Sequence, residues 1–333
     1  MNRTSPRFLR TISLILILLT ALACPAYSED IKTLTKRAKG GNAEAQFNLG
    51  VMYQSGQGVP RDYKEAVKWY RKAAKQGYID AQFNLGVMYQ GGQGVPQDYK
   101  EAVKWFRKAA KQSYVKAQFN LGVSYSKGWG VPQDFAEAMN WYHRAGEWGD
   151  IRAQSILGIA YSIGHGVPKD YAEAAKWFRK AAERGEANAQ FFLGTYYFSG
   201  LGVPKDYSEA LKWWRKAAEQ GHAEAQSNLG FAYSQGDAVP QDYSESVMWY
   251  RKAAEQGEAE AQYNLGVSYA KGEGVQQDYT LAYIWLSLSA SRQGEDYDKT
   301  SKSRDEVAKM LSPEQLMKAQ RMTREWEEMH KRK

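Results

Sequence analysis

Cysteine is almost missing from this chain of 333 residues: Cys24 stands alone, inside an N-terminal apolar stretch, so no intrachain disulfide can form. Stability must come from burial instead. Histidine is nearly as scarce, and His143, His165, His222 and His330 never fall at the spacing by which two histidines on one helix share a metal. Long apolar runs are lacking too. The longest, Ile12–Leu22, is too short to span a bilayer comfortably. Neither sign of charge dominates, with 45 Lys and Arg against 37 Asp and Glu and a net charge of +8. Glycine-rich stretches such as Gly91–Gly94 are not followed by Gly-Lys-Ser/Thr, which argues against a phosphate-cradling loop.

What the chain has in abundance is repetition. Ala-Gln-Phe-Asn-Leu-Gly at 45–50 returns every 36 residues, seven times in all, beginning at 45, 81, 117, 153, 189, 225 and 261. A fixed period of this length marks stacked supersecondary units. In the first copy, Ala45, Leu49 and Tyr53 fall four apart beside Gln46 and Gly50, one stripe of an amphipathic helix. Gly50 recurs in every copy. In mid-helix it costs about 1 kcal/mol against alanine, so we expect the backbone of the next helix to pass close by. A loop, Gly56-Gln57-Gly58-Val59-Pro60, ends the helix. Asp62 and Glu65 then predict a capping box opening a second helix, whose buried stripe is Ala66, Trp69, Tyr70, Ala73 and Ala74. Gly77 closes it.

These residues resemble the Sel1-like repeat family, relatives of tetratricopeptide repeats: A-x-x-x-L-G-x-x-Y, then G-x-G-V-P-x-D-Y-x-E-A-x-x-W, then Ala-Ala-x-x-Gly. The resemblance implies an all-α, right-handed superhelical solenoid acting as an adaptor or docking surface. The copies are 42–77, 78–113, 114–149, 150–185, 186–221, 222–257 and 258–293. Residues 29–41 are expected to form an N-terminal capping helix and 294–333 a C-terminal helical cap, with Ser312-Pro313 as a helix start and Gln315 as capping-box partner. Departures from the pattern include Ser113 for the closing glycine of the second copy, Ala238 in the sixth loop, and Gln276 and Leu281 in the seventh copy.

Arg3, Arg7 and Arg10 precede the apolar run, as in a secretory signal peptide covering residues 1–28. We therefore expect export to the periplasm or beyond the bacterial envelope. Ala26-Tyr27-Ser28 fits ordinary cleavage, while Ala21-Leu22-Ala23-Cys24 also has the look of a weak lipobox, which would anchor the chain through Cys24. Without the three arginines the net charge is +5. The basic residues lie on the outer face of the second helices, mixed with acids, so nucleic acid is not an expected partner.

No catalytic constellation stands out. Ser113-Tyr114-Val115-Lys116 and Ser124-Tyr125-Ser126-Lys127 match the S-x-x-K of penicillin-recognising enzymes but lack the accompanying S-D-N and K-T-G. We expect no cofactor and no enzymatic activity. The alternative is a hydrolase of cell-wall or β-lactam substrates, as proposed for cysteine-rich Sel1-like relatives. The candidate site is the concave, non-core side of the first helices. Asn48, Asn84, Asn120, Asn228 and Asn264 form a column of amides able to hold an extended peptide, or else to tie repeat to repeat. Ile156 and Phe192 interrupt it, and Phe192 with Tyr196 would make an aromatic anchor if that face is open.

Overall fold

The computed structural model describes residues 30–236, 239–291 and 297–331, and every regular element among them is an α-helix. The signal-peptide segment, Cys24 and Ala238 lie outside the described residues. The chain divides into two compact units, meeting in sequence at Asp150 and Ile151. The first holds α1 (Ile31–Lys39) and three pairs: α2 (Ala43–Ser55) with α3 (Tyr63–Lys75), α4 (Ile79–Gly91) with α5 (Tyr99–Lys111), and α6 (Val115–Lys127) with α7 (Phe135–Glu147). The second holds α8 (Ile151–Ile163) with α9 (Tyr171–Glu183), α10 (Ala187–Ser199) with α11 (Tyr207–Glu219), α12 (Ala223–Gln235) with α13 (Tyr243–Glu255), and α14 (Ala259–Lys271) with α15 (Tyr279–Ala290). Two further helices, α16 (Tyr297–Ala308) and α17 (Pro313–Lys331), both pack on α15. Within each unit a helix touches mainly its partner and the next pair, the one-dimensional packing of an α-solenoid.

Local chemistry explains where the helices begin and end. Asp62 Oδ1 accepts the backbone N–H groups of Lys64 and Glu65 at 2.9 and 3.0 Å, and Asp98, Asp134, Asp170, Asp206, Asp242 and Asp278 cap in the same way. The reciprocal half of the expected capping box is not made. The Asp62 N–H already donates to the Tyr53 carbonyl at 2.9 Å, and Glu65 accepts from Lys68 instead. At the C-terminal cap the box is complete: Gln315 N–H donates to Ser312 Oγ, and Ser312 N–H donates to Gln315 Oε1. First helices end on a glycine in the left-handed region, Gly56 at φ 79° in the first copy.

The mid-helix glycine answers to a ring rather than to a neighbouring backbone. A Cβ on Gly50 would lie 2.7 Å from the Tyr70 ring, and one on Gly86 would lie 2.6 Å from Phe106. The aromatic twenty residues on thus packs against the glycine of its own repeat, and in the seventh copy Leu286 takes its place at Gly266. The backbone contact falls elsewhere, on the second loop glycine: a Cβ on Gly94 would lie 2.2 Å from the Tyr63 carbonyl oxygen of the preceding repeat. That glycine also has φ +71°, so it is fixed by conformation and by space together.

Three regular contacts join neighbours inside a unit. The tryptophan of one repeat enters the core of the repeat before it, as Trp105 does beside Ala66, Tyr70 and Ala73. The buried glutamine of the first helix donates to a main-chain carbonyl eight residues earlier: Gln46 to Ala38, Gln82 to Ala74, Gln190 to Ala182, Gln226 to Ala218 and Gln262 to Ala254. An arginine on the second helix donates to the next repeat's tyrosine hydroxyl, as Arg71 does to Tyr89 and Arg251 to Tyr269.

Candidate functional site

The first helices bury their repeated residues and turn the variable ones outward. Ala45, Leu49 and Gly50 are buried, Asn48 is half-buried, and Glu44 is exposed. Asn84 and Asn120 in the first unit, and Asn228 and Asn264 in the second, share the half-buried setting of Asn48. Asn84 has a second role. Beside it stands the Tyr70 hydroxyl of the preceding repeat, which donates to Gln54 Oε1 at 2.5 Å. Burial pushes the Tyr70 phenol up to about 12, and the hydrogen bond with Asn84 opposes that rise. At this seam the amide ties one repeat to the next.

The aromatic pair does not form an open anchor. Tyr196 is only 5% exposed and lies edge-on to Phe178, with ring centroids 5.6 Å apart. Phe192, half-buried, stacks on the same ring at 4.9 Å. Together they fill the space around Phe178, which the repeat places on Gly158. The physical reason is the helical wheel: position 196 falls 40° inward of position 192, toward α9 of the preceding repeat, where Tyr171 and Phe178 lie. Ile156 is half-buried.

The apolar groups that do reach the surface were not singled out from the sequence. Ile159 and Ile163 on α8 are 42% and 66% exposed, and Phe231 on α12 is 40% exposed. Each lies three or seven residues beyond the asparagine position, on the outward side of the same helix face. Their signal was that the aligned positions elsewhere carry valine or small and polar groups. The basic face of the second helices is also more ordered than charge alone suggests. Lys72, Lys108, Lys180, Lys216 and Lys252 each sit about 4 Å over the tryptophan three residues before. Ser124 of the second S-x-x-K match donates to the Asn120 carbonyl, and among the described residues no group of three or more His, Cys, Asp or Glu could hold a metal ion. No described helix is long and apolar enough to cross a membrane.

Comparison with known proteins gives the architecture a family. The profile of the Sel1 repeat matches seven consecutive segments, 43–78, 79–114, 115–150, 151–186, 187–222, 223–258 and 259–293. A Sel1 repeat protein from Oxalobacter formigenes is 36% identical over 82% of this chain and 79% of its own, with a TM-score of 0.62. The protein c5321, a protective antigen present in uropathogenic Escherichia coli strains, is 28% identical over 90% of this chain and 95% of its own, with a TM-score of 0.48. No curated protein sequence matches. With seven matched copies spanning most of its length and this packing of helix pairs, the chain belongs to the Sel1 repeat family.

Proposed function

We propose that this chain is an exported scaffold without catalytic activity of its own, which holds extended segments of a protein partner along the outward stripe that the first helices form within each unit. Sel1 repeats are in general protein-interaction scaffolds. The observation that carries the reading is the division of labour on those helices. Identical residues are spent on the core, while the outward positions differ in charge and size from copy to copy: Glu44 and Lys116 in the first unit, Ile159, Asn188 and Phe231 in the second. Half-buried asparagines beside them offer paired donors and acceptors to a peptide backbone. Ile159, Ile163 and Phe231 supply the apolar contacts that Tyr196, being interior, does not.

The test is site-specific photo-cross-linking in the native envelope, from position 116 on the stripe and from position 68 on the second helix. One partner should be captured from position 116 and not from 68. With that partner in hand, Asn120→Ala should weaken binding by about 1 kcal/mol with an unchanged melting midpoint. Equal capture from both positions would remove the stripe from consideration. The mass of the mature N-terminus tests export and distinguishes cleavage after Ser28 from lipidation of Cys24.

A further inference from the structure

At the ends of the second and third repeats the pattern breaks at four places, and three of the substituted residues line one open recess of about 590 Å³. Ser113 replaces the closing glycine of the second repeat, His143 an arginine, Gly146 an alanine and Trp148 a glutamine. Ser113, Gln118, His143 and Trp148 line the recess.

The missing glutamine has a defined task in the first, second, fifth and sixth repeats, while Arg184 stands in its place in the fourth. Gln76 Nε2 donates to Gln46 Oε1 at 2.8 Å and to the Gly41 carbonyl at 2.9 Å. Gln112 Nε2 does the same with Gln82 Oε1 and the Gly77 carbonyl, at 2.9 and 3.2 Å. In the second unit Gln220 donates to Gln190 Oε1, and Gln256 to Gln226 Oε1. One primary amide nitrogen, with two N–H groups, thus satisfies two acceptors that helix geometry holds at a fixed separation. In the third repeat the acceptors' counterparts are Gln118 Oε1 and the Ser113 carbonyl, and the residue in the donor's place is Trp148. Gln118 is 4% exposed, and its Oε1 is buried with no hydrogen-bond partner. Leaving such an acceptor unmet is costly. Gln262 Oε1 is also without a partner, but the residue in its donor's place, 292, lies outside the described residues. Trp148, meanwhile, turns away from the core and is 70% exposed, the most exposed large apolar side chain among the described residues. Ser113 keeps the glycine's left-handed backbone at φ 63° and adds a hydroxyl beside the recess.

We propose that this recess is a binding site for a side-chain carboxamide, the glutamine or asparagine of a protein partner, which enters where the repeat's own glutamine would otherwise sit. The guest nitrogen donates to Gln118 Oε1 and the Ser113 carbonyl, and its methylene stem packs on the Trp148 indole, which swings over it. A guest cation fits less well, because Lys111 and Arg144 line the recess against the single carboxylate of Glu147. The site lies at the ends of α5 and α7 and does not depend on the stripe of the first helices.

The probe is N-acetyl-L-glutamine methylamide, titrated into the full repeat array while the Gln118 side-chain amide and the Trp148 indole N–H are followed by NMR. Both resonances are expected to shift saturably. The glutamate and arginine analogues should move them at least tenfold less at equal concentration. Trp148→Gln should restore the internal bridge, raise the melting midpoint by a few degrees and abolish the response. Gln118→Leu, which removes the acceptor, should also abolish it without lowering the midpoint. Asn48→Ala and Asn120→Ala should leave it intact, so the outcome is independent of the stripe reading. No saturable shift, an equal response in Trp148→Gln, tighter binding of the arginine analogue, or a Trp148→Gln protein no more stable than the parent would each overturn the proposal.

Discussion

Changing Gly86 to alanine should destabilise the protein, although alanine is the better helix former. On an open helix surface the exchange gains about 0.5–1 kcal/mol. At position 86 the new Cβ would lie 2.6 and 2.7 Å from two carbons of the Phe106 ring, closer than such atoms approach. Phe106 is fully buried and has Phe83 against it, with ring centroids 5.8 Å apart, so it has little room to retreat. Overpacking of this kind costs ~1–3 kcal/mol, leaving a net loss of up to ~2.5 kcal/mol once the propensity gain is subtracted. The same helix supplies its own control. A Cβ on Gly91 would meet nothing nearer than Gln93 Cγ at 3.7 Å, and its φ is not positive. Gly91→Ala should therefore stabilise by up to ~1 kcal/mol. Guanidinium unfolding followed by far-UV circular dichroism, with a check that the slope is unchanged, measures both. Adding Phe106→Leu to Gly86→Ala should show a favourable coupling of ~0.5–3 kcal/mol, because the smaller group vacates the contested space. If Gly86→Ala and Gly91→Ala stabilise alike, the ring-on-glycine argument is refuted.

Three other outcomes are expected. Tyr196→Ser should cost ~3–5 kcal/mol, as loss of a core aromatic does, whereas Phe192→Asn, at a half-buried position, should cost clearly less; equal midpoints for the two variants would contradict the interior placement of Tyr196. His222 is held below its ordinary value of 6.5 by burial, against the opposing pull of Glu224 and Glu186, and its Nδ1 accepts the Ala225 N–H at the start of α12. The folded state thus disfavours the protonated ring, so its contribution is fully present above pH 6.5 and declines as pH falls from there through the lower folded value; His222→Asn, which keeps a capping acceptor, should flatten that part of the stability curve, and an unaltered profile would exclude His222 as its source. Excision of residues 79–114 should leave a folded, shorter protein whose helical signal falls in proportion to length; complete loss of helical dichroism would show that the first unit is one indivisible core.

Periodicity disclosed the helix pairs because each repeat obeys the same local rules, and the capping aspartate of Asp62 recurs in all seven copies. It was less informative wherever a residue's meaning depends on another helix. The glutamate at position 65 matched a capping box in sequence, yet the backbone N–H it would have met is claimed by Tyr53 in the preceding helix. Gly50 was legible as a close approach, but a ring and a passing backbone leave the same mark in sequence. The Phe192 and Tyr196 pair was judged by its spacing on one helix, while its partner, Phe178, lies in another repeat. Trp148 differs in sequence from the glutamine of four other copies without saying what that glutamine does. Only the hydrogen bonds of Gln76 and Gln112 reveal what its position does elsewhere.

The glutamine bond to a main-chain carbonyl eight residues back has a consequence for how such a chain can change over generations. Because the acceptor belongs to the backbone, Gln46 is served by Ala38 of the capping helix as well as Gln82 is by Ala74 of a full repeat. Compatibility at the junction therefore does not depend on which side chains the upstream unit displays. A gene segment of one period can be copied or lost without any matching substitution in its neighbour. The outward residues are then left to drift under selection for whatever they meet, which makes the number of copies and the surface they present two separately inherited traits.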